Sequence, residues 1–135
     1  WRLIFAGAAS ARFHRPTSGI GLNKLAKTQL RSARMFLDEF NIFAARPDGD
    51  HRLLSGREED EAYLSRVKGA QYAVYFTRGG EVTVRLPPVG KPWRLRWLEI
   101  DRSRWRPPLD LASEDTGVLK APDKGQWVAL LEPVK

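Results

Sequence analysis

At 135 residues, with 42% hydrophobic and 29% charged residues, the chain suffices for one domain or one small domain plus a piece of another, and it is too apolar to be compositionally disordered. The absence of cysteine excludes disulfides, thiolate zinc sites and cysteine nucleophiles, and no apolar stretch reaches the roughly 18 residues of a membrane span. The net charge of +7 favours polyanions, yet the 23 basic residues are interleaved with 16 acidic ones, the pattern of a basic solvated surface.

Trp1 to Ala9 is apolar enough for the end of a helix or a buried segment, and a start inside an apolar run reads as the continuation of a longer chain. In "GAASARFHRP", residues 7–16, a tract of tiny residues leads into Phe13, His14 and Arg15. His14 is the better placed histidine for contact with a polar ligand. Ser10 and Ser18 lie near it, but neither sits in the G-x-S-x-G turn that exposes a nucleophile. From Leu22 to Phe40, apolar residues recur at steps of three and four, the stripe of an amphipathic helix with Asn23 as its N-cap. Lys24, Lys27, Arg31 and Arg34 share a second face, either a phosphate-facing stripe or simply the wet side. Residues 45–60, with Pro47, Gly49 and Gly56, read as a linker ending in the acidic run Glu58, Glu59, Asp60 and Glu61. That run lacks the spacing of a calcium loop and is expected to be solvated. His51 lies in the linker, and the two histidines form no metal-ligand spacing, so neither a metal nor a cofactor is expected.

From Ala62 onward the signals are β. "YLSRV", "YAVYFT", "EVTVRL", "WRLRWLEI", "TGVLKA" and "QWVALLE" are short strand candidates, enough for an antiparallel sandwich. Gly79-Gly80 between two alternating runs predicts a hairpin. The apolar phase at 93, 95 and 97 shifts to 98 and 100, which predicts a bulge near Trp97. Trp97 and Trp127 are expected in the core, while Trp105, among arginines and prolines, is ambiguous between core and surface. Arg94 and Arg96 share a strand face, and with Arg102, Arg104 and Arg106 they form the best basic patch. No DNA- or RNA-binding motif accompanies it, and no nucleic-acid partner is expected.

Together, "WRLIFAGAASARFHRP" and "GIGLNKLAKTQLRSARMFLDEF" resemble the end of the catalytic barrel of apiosidase-like glycoside hydrolases. The β part, through the Arg96-Trp97 pair and the Pro122…Gly125…Trp127 spacing, resembles the collagen-binding-type domain that commonly follows it. Where relatives carry an Asp-Pro-Arg-x-Gly turn, this chain reads "EIDRSRW". The resemblance implies an α+β chain: the helical end of a (β/α)8 barrel over residues 1–55, then a small accessory β-sandwich over 56–135. Barrel active sites lie on loops at the strand ends, so His14, assisted by Arg12 or Arg15, would line a sugar-binding cleft. The two carboxylates of a retaining glycosidase, about 5 Å apart, would precede Trp1, leaving no catalytic residue in this chain. The parent would be a secreted or periplasmic enzyme acting on a polysaccharide or oligosaccharide, and oligomeric state stays open. Apolar surface stripped of its barrel is expected to be exposed. The alternative is a non-enzymatic binding module for acidic polymers or extracellular matrix.

Overall fold

A computed structural model describes residues 1–8, 21–50, 52–58, 60–111 and 116–134. Two α-helices, α1 (Arg2–Phe5) and α2 (Lys24–Leu37), precede ten strands. These are β1 (Arg46–Pro47), β2 (Leu54–Ser55), β3 (Ala62–Val67), β4 (Gln71–Phe76), β5 (Glu81–Arg85), β6 (Trp93–Glu99), β7 (Arg104–Trp105), β8 (Leu109–Leu111), β9 (Thr116–Lys120) and β10 (Trp127–Pro133). A 3₁₀ turn at Ile100–Arg102 follows β6.

The larger sheet runs β1-β3-β4-β10-β6-β7, with β8 also on β6, and the smaller runs β2-β5-β9. Every pairing among them is antiparallel. β7 and β8 form one edge of the larger sheet in two pieces, broken at Pro107-Pro108, which have no N–H to give to a ladder.

The central strands β4, β10 and β6 are apolar on both faces because both are covered. Side chains alternate across a strand, and odd-numbered residues of β6 and β10 point between the sheets: Trp93, Leu95, Trp97, Trp127, Ala129 and Leu131. The even-numbered Leu98, Val128 and Leu130 point the other way, into a second core with Phe5, Phe36 and Phe40 from the helical segment. Rings interlock on each side. Trp97 meets Trp127 edge-on at 6.3 Å in the first core, and Phe36 stacks on Phe5 at 5.6 Å and on Phe40 at 5.0 Å in the second. The Tyr75 hydroxyl faces the second core and donates to Gln126 Oε1 at 2.7 Å, and burial pushes its pKa up to about 12.

Three expectations are corrected. The chain is not a barrel end followed by a sandwich. Its described residues form mainly two antiparallel sheets, with the helices laid on the outer face of the larger one. The segment read as barrel supplies no parallel strand among the described residues, and residues 46–47 and 54–55 add antiparallel strands to the two sheets instead. The resemblance makes residues 7–16 the last barrel strand and its loop; of these, Gly7 and Ala8 lie in the turn after α1, with Gly7 N donating to Ile4 O and Ala8 N to Leu3 O, and residues 9–16 lie outside the described residues.

The phase shift at residues 97–98 is not a bulge. The register from Trp93↔Pro133 to Glu99↔Trp127 is unbroken, and Leu98 simply fills the second core. Gly79-Gly80 is not a hairpin either. β4 pairs with β3 and β10, and β5 pairs with β2 and β9, so the glycines carry the chain from one sheet to the other. Both have positive φ, +77° and +100°, and both are closely packed. A Cβ at Gly79 would lie 2.6 Å from the Asp123 carbonyl oxygen, while Gly80 faces the Asp60 carboxylate, which accepts from Glu81 N at 2.8 Å.

Gly90 has a similar φ, +70°, but open space around its Cβ position. Gly79→Ala is therefore expected to destabilise by more than about 1 kcal/mol, and clearly more than Gly90→Ala, in urea denaturation. Equal costs would mean that backbone strain alone, and not the close approach to Asp123, sets the requirement.

Candidate functional site: an open apolar groove beside a cationic helix face

α2 begins where Asn23 Oδ1 accepts from Ala26 N at 2.8 Å, and it presents three faces. Phe36 points into the second core. Beside it the fully buried Ser32 donates to Ile100 O at 2.5 Å, and its oxygen lies 2.8 Å from Ser103 Oγ. Ser103, held in the left-handed region at φ +48°, returns a bond to Thr28 O at 2.8 Å. This polar pin ties the helix to the turn after β6, where a buried hydroxyl must find partners.

The second face is apolar and, among the described residues, open. Leu30, Ala33 and Leu37, with Ile4, Ile42 and Phe43, line an open groove of ≈ 680 Å³ between α1, α2 and the loop after α2. Phe43 is 91% exposed at its rim and Leu37 is 42% exposed. Polar groups along the groove serve the fold: Gln71 donates to Glu39 O at 2.7 Å, and Asn41 Oδ1 accepts from Ala44 N at 3.2 Å. The helical periodicity of 22–40 announced an apolar stripe, but the stripe is wider than the contact with the sheet. The exposed Phe43 just past the helix was the overlooked sign of this surface.

The third face carries Lys24, Lys27, Arg31 and Arg34, all exposed and without a carboxylate partner among the described residues. The arginine patch read from the later strands behaves oppositely. Glu99, only 12% exposed, pairs with Arg102, Arg104 and Arg106 at 3.2, 2.8 and 3.4 Å. Arg94 pairs with Asp110, and Arg96 pairs with Glu39 at 2.9 Å while lying 4.9 Å over the Trp105 ring. Each of those arginines meets a carboxylate, although Arg102, Arg104 and Arg106 share the single Glu99. Residues 1–37 hold seven of the basic residues and none of the acidic ones, so residues 38–135 are balanced and the whole +7 arises in the first 37.

The acidic run is not merely solvated. Glu61 accepts from Arg2 Nε and Nη2 at 2.7 and 2.8 Å, from the Tyr63 hydroxyl, and from Thr77 Oγ1, fastening α1 to β3. Hydrogen bonds from Arg2 above all, then from Tyr63, hold its pKa at about 2, below the ordinary 4.5. Among the described residues no cluster of His, Cys, Asp or Glu has the makings of a metal site. Trp93, Trp97 and Trp127 are buried in the first core, while Trp1 and Trp105, the ambiguous one, are half-buried against the second, with Arg96 over the Trp105 ring. His14, Arg12 and Arg15, the expected sugar-contacting residues, lie outside the described residues, as does His51.

A carboxylate whose folded pKa is lowered contributes stability that is complete above its unfolded value and is lost as pH falls through the folded one. Glu61→Gln is expected to flatten the fall in stability between pH 4.5 and about 2, and salt is expected to shrink the effect because the pair is exposed. An acid limb identical in wild type and variant would show that Glu61 does not govern it.

No protein-family model matches the chain, and no curated protein matches it in sequence. A solved structure named as a glycoside hydrolase is similar in fold, with a TM-score of 0.62 at 15% identity. The match takes in 90% of this chain and 30% of that one, so the chain spans less than a third of that structure's length. At this identity the likeness is one of fold, and what it establishes is that these sheets and helices recur as a segment within a glycoside hydrolase.

Proposed function

We propose that the chain is a non-catalytic part of a larger glycoside hydrolase. In this reading residues 56–135 form an accessory module, and residues 1–55 attach it to the catalytic part through the open groove. The observation that carries it is the match of nearly the whole chain to under a third of a glycoside hydrolase, supported by an open apolar groove among the described residues. A monomer gains nothing by exposing a contiguous apolar concavity, and such patches mark interfaces.

Several carboxylates of the described residues are engaged in the fold's own hydrogen bonds and ion pairs: Glu61, Glu99, Glu39, Asp60 and Asp110. In this reading the polysaccharide or oligosaccharide substrate meets its acid and nucleophile elsewhere in the parent enzyme. The finer kinship, with apiosidase-like enzymes and their collagen-binding-type module, is supported by the Arg96-Trp97 and Pro122…Gly125…Trp127 patterns. Both have structural roles here, since Arg96 caps Trp105 and Gly125, at φ +117°, lies in the turn that leads into β10.

The groove supplies the test. In the 135-residue chain, Phe43→Ser is expected to change stability by no more than about 0.5 kcal/mol, because the ring is in solvent. In the longer enzyme the same change, combined with Leu37→Ser, is expected to speed proteolytic separation of the accessory part severalfold. No difference in the longer enzyme, or hydrolysis of polysaccharide by the 135-residue chain alone, would overturn the reading.

His14, with Arg12 and Arg15, is proposed to contact the sugar in the assembled enzyme. His14→Ala is expected to lower turnover at least tenfold while leaving the melting temperature of the longer enzyme within about a degree. A matching loss of stability would make His14 a structural residue.

A further inference from the structure

We infer that the outer face of α2 is a binding surface for an anionic polysaccharide, one that carries carboxylates on successive sugar rings. Lys24, Lys27, Arg31 and Arg34 follow one another at steps of three and four, and so lie along one side of the helix over roughly 15 Å, about one charge per turn. α2 contains no acidic residue. Asp101, from the 3₁₀ turn, reaches the same helix but accepts from Gln29 at 3.0 Å rather than from any of the four cations.

Two features set this stripe apart from a solvated face. The first is the charge map: the arginines of β6–β8 and the 3₁₀ turn all have carboxylate partners, whereas the unbalanced charge of the chain arises in its first 37 residues. The second is placement. Lys24 and Lys27 occupy the first turn, which has no acidic residue, at the end where the helix dipole already disfavours cations. That arrangement works against the helix and in favour of an anion, because the lysine charges and the dipole add at one place. A local rule broken without internal compensation points to a function outside the chain.

The choice of a sugar polymer rests on the proposed function above. It is also favoured over nucleic acid by the face itself, where the stripe presents ammonium and guanidinium groups with no aromatic ring among them for base stacking.

The test is affinity electrophoresis of the 135-residue chain in polygalacturonate, in dextran and with duplex DNA. Polygalacturonate is expected to retard the chain, with retardation fading as salt rises, while dextran does not and DNA binds more weakly per charge. Replacing Lys24, Lys27, Arg31 and Arg34 by glutamine is expected to weaken polygalacturonate binding at least tenfold. A charge-matched control, with the exposed Lys68, Lys91, Lys120 and Lys124 replaced by glutamine, is expected to stay within twofold of wild type. Circular dichroism and melting temperature confirm that both variants fold. Equal losses in the two variants, undiminished binding in the first, equal retardation by dextran, or tighter binding to DNA would each overturn the inference. Binding is read without hydrolysis, so its failure leaves the attachment reading standing, and failure of that reading leaves this result intact.

Discussion

Everything in this molecule hangs on one sheet having to be apolar on both sides. β4, β10 and β6 stand between two cores, and each consecutive residue belongs alternately to one or the other. A one-residue slip in register would exchange the two sets, driving Trp93, Leu95 and Trp97 toward the helices and Leu98 toward the smaller sheet. Neither space would accept them, because the inner core is built around large indoles and the outer one around smaller aliphatics beneath phenylalanines. Burial of each large side chain is worth about 1.5–3 kcal/mol. The helices are therefore the cover without which half of the central strands would face water.

Polar groups fasten the layers without crossing them. Ser32 and Ser103 hold α2 to the turn after β6, Arg2 and Glu61 hold α1 to β3, and Glu39 reaches Arg96 from the loop after α2. All of these join the helical layer to the larger sheet, the Arg2–Glu61 pair in solvent and Ser32 fully buried. The groove and the cationic face of α2 are covered by none of these contacts among the described residues. They lie on the same helix, one apolar and one charged. An arrangement of that kind suits a segment that touches a neighbouring domain on one side and a polymer on the other.

The strands were legible because each is short, apolar and bounded by glycine, proline or charge, and the N-cap of α2 was legible in Asn23. What remained hidden was pairing. Gly79-Gly80 has the composition of a hairpin, and only the strands on either side, belonging to different sheets, reveal a crossover. The shift at Leu98 imitates a bulge because periodicity reports burial and not which core does the burying. The arginine patch looked free because Arg96 and Glu39 are 57 residues apart in sequence. At the candidate site the basic stripe was visible as a pattern, yet its significance required knowing that the arginines of β6 to β8 meet carboxylates. His14 drew attention through its neighbours, and those neighbours fall outside the described residues.

β10 is the last of the ten strands in chain order and lies in the middle of the larger sheet. On a ribosome that order matters. β4 and β6 are synthesised long before the strand that joins them, and each waits with one ladder edge open and two sticky faces exposed. Chains in this condition are the species that aggregate during synthesis, and closing contacts so far apart in sequence is slow. The sheet therefore cannot close until the ribosome has almost finished this region. A nascent chain halted before Trp127 would be two half-sheets in search of a partner, a natural client for chaperones.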